Sequence, residues 1–143
     1  MASNRRGNRK WLKLPTKILC DTNFLLIPLR YKVDIFNETD DAVNDTAKFY
    51  VSTQVIDEIK TLKMGAKPGF ARELSFALQM AEKCHIIEDD SSLLVDDSLI
   101  ELANKHEMVI GTIDKELRKK ARSEGVPVIY LRQGRRLLLD GKD

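Results

Sequence analysis

The chain has 143 residues, of which 43% are hydrophobic and 32% are charged, and its formal net charge at pH 7 is +2. These values are those of an ordinary globular protein whose single domain is long enough to bury a proper core. The chain contains no apolar run of about 18 residues and no apolar core of a secretory signal, which excludes a predicted membrane span and leads us to expect a cytoplasmic protein.

Residues 1–16 are predicted to form a basic, flexible N-terminal arm, and residues 17–143 a single domain in which apolar runs alternate with helical periodicity. Strands are predicted at residues 17–21, 49–52, 85–87, 108–112 and 126–131, with residues 136–139 as a candidate hairpin partner. Helices are predicted from about residues 23 and 53 onward and at residues 70–83, 96–105 and 114–123, while residues 37–45 are predicted to be an acidic connection. This order predicts an α/β fold with three layers around a central, mainly parallel, five-stranded sheet.

Acidic side chains stand at the edge where such a sheet binds ligands, beyond the carboxyl ends of its strands. Asp21 ends the first strand, and Glu58 lies in the helix after the second. Asp96 and Asp97 open the helix before the fourth strand, and Asp114 follows that strand. Carboxylates packed together repel one another unless a cation neutralises them. Because these are hard oxygen ligands without His or Cys, they predict Mg²⁺ or Mn²⁺, one or two ions, and phosphate chemistry.

Each acid taken singly also has a plainer explanation. Asp96 and Asp114 are suitable helix N-caps, and Glu58 is suitable as a solvated surface residue. Helical phase places Asp96 on the apolar face of its helix, directed towards the sheet edge. Asp97 is rotated by about 100° from it, and is either a second ligand or a surface acid. The plainer explanation weakens because four separate elements each present an acid at the same edge.

Three runs, ILCDTNFLL, VSTQVIDEIKTL and VDDSLIELANKHEMVIGTID, resemble the PIN-domain nucleases in order and spacing, over about residues 17–131. The resemblance implies a PIN-like fold and a two-metal acidic site that hydrolyses RNA. It implies that the metal-binding and catalytic acids are Asp21, Glu58, Asp96 and Asp114, with Asp97 as a further candidate ligand. It also implies that polar residues support these acids, namely Asn23, Thr112 and Ser52.

Two branches of that family compete. The runs DTNFLL, VDDSLIELA and VPVIYLRQGRRLLLDG are more like the archaeal branch that processes small-subunit ribosomal RNA, whose eukaryotic relatives carry zinc-binding cysteines that are absent here. The VapC-type toxin branch is paired with an antitoxin and usually lacks a long basic arm. We therefore expect a Mg²⁺- or Mn²⁺-dependent endoribonuclease of ribosomal RNA processing. The alternatives are a VapC-type toxin ribonuclease and a non-catalytic PIN-like RNA-binding or assembly module.

Charge is distributed unevenly along the chain. Residues 1–17 carry six Lys or Arg and no acid, residues 18–117 carry 10 basic and 19 acidic side chains, and residues 118–143 carry 8 basic and 3 acidic ones. This pattern favours a polyanion held by the basic ends, although a disordered tail with solvated helix faces explains it equally well. The predicted RNA contacts are Arg118, Lys119, Lys120, Arg122, Arg132, Arg135 and Arg136. We expect RNA as the substrate, a homodimer, and ribosome-assembly factors as possible partners.

The two cysteines, Cys20 and Cys84, do not form a CxxC motif and are expected to be buried, reduced thiols. With only two histidines that lack ligand spacing, no structural zinc site can be assembled. His85 and His106 are assigned no catalytic role.

Overall fold

The fold is described from a computed structural model over residues 15–90 and 92–141. Most of the predicted N-terminal arm therefore lies outside the described residues, and the first strand begins at Thr16. The strands are β1 (Thr16–Cys20), β2 (Ala47–Ser52), β3 (His85–Ile87), β4 (Val109–Gly111), β5 (Val128–Arg132) and β6 (Arg136–Asp140). The helices are α1 (Thr22–Leu25), α2 (Ile27–Tyr31), α3 (Ile35–Val43), α4 (Thr53–Met64), α5 (Pro68–Ala81), α6 (Val95–His106) and α7 (Lys115–Ser123).

The strands form one sheet in the order β3-β2-β1-β4-β5-β6. All neighbouring strands are parallel except β5 and β6, which are antiparallel. This confirms the predicted α/β fold with a mainly parallel sheet, since helices connect the parallel strands. The carboxyl ends of β1, β2 and β4 consequently lie along one edge of the sheet, the edge that the candidate acids follow.

The sheet has six strands and not the five that the sequence predicts. Residues 136–139 were expected only as a hairpin partner, and β6 pairs with the whole of β5, from Arg132 opposite Arg136 to Val128 opposite Asp140. The turn between them has positive φ at Gln133 and Gly134 and is closed by a bond from the Arg135 amide to the Arg132 carbonyl. Positive φ at successive turn residues matches the right-handed twist of an antiparallel pair.

Between β1 and β2 the structure differs from the sequence prediction in two places. The helix expected from about residue 23 is divided into α1 and α2, with Pro28 in the first turn of α2. In one continuous helix Pro28 would remove a backbone bond and collide with the carbonyl of Phe24. The acidic connection expected at residues 37–45 is mostly the helix α3. Asp34 caps it by accepting bonds from the Phe36 and Asn37 amides.

The core packs on both faces of β1 and β4, whose residues Ile18, Leu19, Val109 and Ile110 have no exposed surface. Cys20 is a buried free thiol, as expected, whereas the free thiol Cys84 is only partly buried, because it lies just before the edge strand β3. Among the described residues no helix is both long and apolar enough to cross a membrane.

Candidate active site

Asp21 is the buried centre of the acidic edge. It follows β1 directly and is only 7% exposed. Its amide donates to the Gly111 carbonyl of the neighbouring strand at 3.1 Å. One carboxylate oxygen accepts from the Phe24 amide at 2.8 Å and so caps α1. The other accepts from the Thr112 hydroxyl. Both oxygens are therefore fixed in direction by the protein.

Thr112 joins two of the predicted acids. Its hydroxyl, which has no exposed surface, donates to Asp21 and accepts from the Asp114 amide at 3.0 Å. Asp114 in turn caps α7, because one of its oxygens accepts from the Glu116 amide at 2.8 Å and the Leu117 amide at 3.4 Å. The N-cap role considered for Asp114 is thus real, and it coexists with a position beside Asp21.

Electrostatics connects Asp21 with the acids on the other elements. Burial raises the pKa of Asp21 to about 7, hydrogen bonds from Thr112 and Phe24 oppose this rise, and the charges of Asp96 and Asp114 add to it. Burial and the charge of Asp96 raise the pKa of Glu58. Burial, followed by the charge of Asp114, raises the pKa of Asp96. These acids from β1, α4, α6 and the β4–α7 connection therefore lie within electrostatic reach of one another.

The acids do not form a ready-made metal cage. Across residues 15–90 and 92–141, no group of three or more His, Cys, Asp or Glu side chains is arranged to hold an ion. Mg²⁺ does not need such a cage in the way that a structural metal does. It keeps several of its waters and binds through one or two carboxylates. The donors are hard oxygens, and a divalent charge would offset the burial and the mutual repulsion that raise their pKa values. The residues therefore fit Mg²⁺ or Mn²⁺ in their chemistry.

Asp97 differs from its neighbour Asp96. One of its oxygens lies 2.5 Å from the Lys120 ammonium of α7, and this pair raises the pKa of Lys120. The Lys120 charge also lowers the pKa of Asp96, against the larger effects of burial and of Asp114. Asp97 thus has a cationic partner of its own, so of the two adjacent acids Asp96 is the one that faces the other carboxylates.

The two other predicted supporting residues have different surroundings. Ser52 is buried at the end of β2, and its hydroxyl accepts from the Val55 amide at 3.1 Å, so that it caps α4. It thereby sets the start of the helix that carries Glu58. Asn23 is partly buried in α1, and its side chain has no hydrogen-bond partner within the part of the chain that the structure describes.

The basic residues predicted to contact RNA fall into two groups. Arg118 and Arg122 of α7 both pair with Asp140 at the end of β6, at 3.0 and 3.4 Å, and Arg118 also lies over the Tyr130 ring, 3.5 Å from its centre. Asp140 is thus a residue that sequence reasoning missed. Lys120 is paired with Asp97, as described above. The remaining basic residues predicted to contact RNA are exposed, namely Lys119, Arg132, Arg135 and Arg136.

A second missed residue is Asp89, between β3 and α6. Its carboxylate accepts a bond from the Ser98 hydroxyl, and its backbone bonds to the Thr53 hydroxyl. No local motif marks Asp89 in the sequence, since its partners lie nine and 36 positions away.

Comparisons with known proteins agree on one family. The model of the PIN-like domain matches residues 18–134. "Ribonuclease VapC9" of Archaeoglobus fulgidus is 31% identical over 127 residues, with 87% of this chain and 91% of that protein covered. "Ribonuclease VapC4" of Methanocaldococcus jannaschii is 26% identical over 119 residues, with 82% and 91% covered.

Solved structures show the same fold. The PIN domain endonuclease Utp24 superposes with a TM-score of 0.75 at 21% identity, over 91% of this chain and 95% of that one. A domain of a functionally unknown protein from Methanocaldococcus jannaschii superposes with a TM-score of 0.56 at 17% identity, over 81% and 91%. The family match over most of the chain, together with a relative above 30% identity, shows that this chain belongs to the PIN-like domain family.

Proposed function

We propose that the chain is a divalent-metal-dependent endoribonuclease that hydrolyses RNA phosphodiester bonds at the acidic edge formed by Asp21, Glu58, Asp96 and Asp114. The observation that carries the proposal is the buried Asp21, whose pKa is raised to about 7 while Asp96 and Asp114 add their charges to it. Maintaining several carboxylates together is unfavourable for a folded protein unless they serve a cation. The relative at 31% identity, which is named a ribonuclease, supports the same conclusion.

The roles of the residues follow from their surroundings. Asp21, Asp96 and Asp114 would hold the ion, and Glu58 would contact it directly or through water. When bound, the ion would supply positive charge to the phosphate and an activated water for hydrolysis. Thr112 keeps Asp21 in a fixed direction by donating to it, and carboxylate oxygens that accept one bond retain a lone pair for another ligand. Burial excludes bulk water from Asp21 and strengthens every interaction that its charge makes.

The substrate follows from the basic surface beside this edge. We propose RNA, with precursor small-subunit ribosomal RNA as its source. Lys119 on α7 and the arginines of the β5–β6 hairpin are exposed, which suits contact with the phosphates of a strand. A homodimer and ribosome-assembly factors belong to the proposal as partners, and sedimentation of the purified chain tests the first of these.

A VapC-type toxin ribonuclease is the second candidate. It is favoured by the two curated relatives, which are both named VapC ribonucleases and are covered over 91% of their length. Inducible expression of the chain in its host or a related cell distinguishes the two. A toxin arrests growth on induction and is silenced by the product of a neighbouring gene, whereas depletion of a processing enzyme leads to accumulation of precursor ribosomal RNA.

The direct test is cleavage of single-stranded and structured RNA with Mn²⁺, with EDTA as the control. We expect cleavage that requires the ion and leaves 5′-phosphate and 3′-hydroxyl ends. Asp21→Asn should abolish it, whereas Asp90→Asn, the same change at an exposed acid, should leave it unaltered. Cleavage by the Asp21→Asn protein at the wild-type rate would refute the proposed site. A wild-type chain that binds RNA without cutting it would instead be a binding or assembly module.

A further inference from the structure

The segment between β3 and α6 is tied to the start of α4 by hydrogen bonds. The Asp89 amide donates to the Thr53 hydroxyl at 2.9 Å, and this hydroxyl donates back to the Asp89 carbonyl at 3.3 Å. The Gln54 side-chain amide donates to the Leu93 carbonyl at 2.9 Å. Thr53 and Gln54 are the first two residues of α4. The segment is therefore attached to the helix that carries Glu58.

The same segment is attached to α6, the helix that carries Asp96. The Asp89 carboxylate accepts from the hydroxyl of Ser98, a residue only 1% exposed. The start of α6 has no side-chain cap, because its N-cap residue is Leu94. Asp89 thus supplies a polar attachment to the first turn of α6 from outside the helix.

Ser98 and Asp96 lie on different sides of α6. They are two positions apart, so their side chains point about 200° apart around the helix axis. Ser98 consequently faces the segment beneath α6 while Asp96 faces the acidic edge. Any rotation of α6 about its axis that breaks the Ser98 bond also moves Asp96. The buried side chains of Leu99 and Ile100 oppose the same rotation.

We propose that Asp89 is a positioning residue for the metal-binding acids. Through Thr53 and Ser98 it sets the separation of Glu58 on α4 from Asp96 on α6, and it touches neither the ion nor the RNA. This inference rests on the proposed function, because it concerns the same acidic edge. Asp89 lies outside the group of metal-binding acids. Its role comes from the hydrogen bond that it accepts from Ser98 and not from its charge.

The experiment measures Mn²⁺ binding to the full chain without RNA, by electron paramagnetic resonance of the free ion at 20 °C. Asp89→Ala and Ser98→Ala each remove the same hydrogen bond from opposite sides. Each is expected to raise the dissociation constant for Mn²⁺ about tenfold, the effect typical of groups that orient metal ligands. Because the bond between Asp89 and Ser98 is already lost in each single variant, the double variant should weaken Mn²⁺ binding by less than the two single effects added together.

Asp89→Asn distinguishes positioning from charge. The Asn amide oxygen can still accept from Ser98, so its Mn²⁺ affinity should stay within about threefold of wild type although the negative charge is lost. Asp90→Ala is the matched control, since Asp90 is adjacent, acidic and exposed, and it should bind Mn²⁺ like wild type. With RNA and saturating Mn²⁺, the kcat of Asp89→Ala should fall while its KM for RNA is unchanged.

The possible outcomes separate the inference from the proposed function. Unchanged Mn²⁺ affinity in both Asp89→Ala and Ser98→Ala, with a lowered melting temperature, would make Asp89 a structural residue only and overturn the inference. Equal weakening in Asp89→Asn and Asp89→Ala would also overturn it, because charge would then be responsible. If the wild-type chain neither binds Mn²⁺ nor cuts RNA, the proposed function itself fails and the inference with it.

Discussion

Asp21→Asn is expected to stabilise the metal-free protein at pH 8 and to have little effect on its stability near pH 4. The pKa of Asp21 is raised from an ordinary value of 3.8 to about 7 by burial, with the charges of Asp96 and Asp114 adding to the rise. In the unfolded chain the carboxyl regains its ordinary pKa. Between these two values the folded protein holds more protons than the unfolded chain, so stability falls as the pH rises from about 4 to about 7.

The magnitude follows from the difference between the two pKa values. About three pH units at about 1.4 kcal/mol each give an upper bound of about 4 kcal/mol for the cost of ionising Asp21 in the folded protein. Asparagine is neutral and of the same shape. Its oxygen can accept from the Phe24 amide, and its amide can donate to a reoriented Thr112 hydroxyl. We therefore expect a gain of about 2–4 kcal/mol at pH 8.

Urea unfolding followed by circular dichroism, in EDTA at pH 4.5, 6 and 8, measures this gain. Asp90→Asn serves as the control, because it removes an exposed carboxylate that lies between β3 and α6. Excess Mn²⁺ should offset most of the difference in stability, since an ion at a hundred times its dissociation constant stabilises a folded protein by about 2.7 kcal/mol. A variant less stable than wild type at pH 8, or equally stabilised at every pH, would refute the reasoning.

Two further substitutions test the surroundings of the site. Thr112→Val removes the hydroxyl that donates to Asp21, so the pKa of Asp21 should rise further. The acidic limb of the pH–rate profile should therefore move to higher pH. Urea unfolding should show a stability loss of about 1–3 kcal/mol. Asp140→Asn releases Arg118 and Arg122 from their carboxylate partner, so RNA should bind about threefold more tightly at low salt and with a steeper salt dependence, as fluorescence anisotropy measures. Unchanged RNA affinity in that variant would place both arginines outside the RNA path.

The sequence was sufficient for most of the sheet because parallel strands buried on both faces are continuous apolar runs. The predicted strands at residues 17–21 and 126–131 overlap β1 and β5 for that reason. Strand ends then give the positions of Asp21 and Asp114, since a carboxylate directly after such a run can only emerge at the sheet edge. These inferences need no knowledge of partners distant in sequence.

The missed features depend on distant partners or on a balance of local effects. The helix α3 has an acidic sequence, and what makes it a helix is the cap at Asp34 and the burial of Ile35, Thr39 and Val43, spaced four residues apart. The bond between Ser98 and Asp89 joins two elements whose relative position no local pattern specifies. Local sequence therefore indicates which acids reach the edge, and only the fold indicates what holds them there.

Charge at the acidic edge also sets the order in which ligands bind. RNA brings phosphates to a site where burial and neighbouring carboxylates already raise the pKa values of Asp21, Glu58 and Asp96, so without a cation the site resists further negative charge. Lys120 lowers the pKa of Asp96 but does not remove this resistance, because it is paired with Asp97. A divalent ion reduces the repulsion between the carboxylates and the RNA phosphates. By thermodynamic linkage, the ion and the RNA must then each tighten the binding of the other. RNA should therefore bind more weakly in EDTA than in Ca²⁺, an oxygen-seeking ion that permits binding, and the difference should disappear when Asp21 is replaced by Asn.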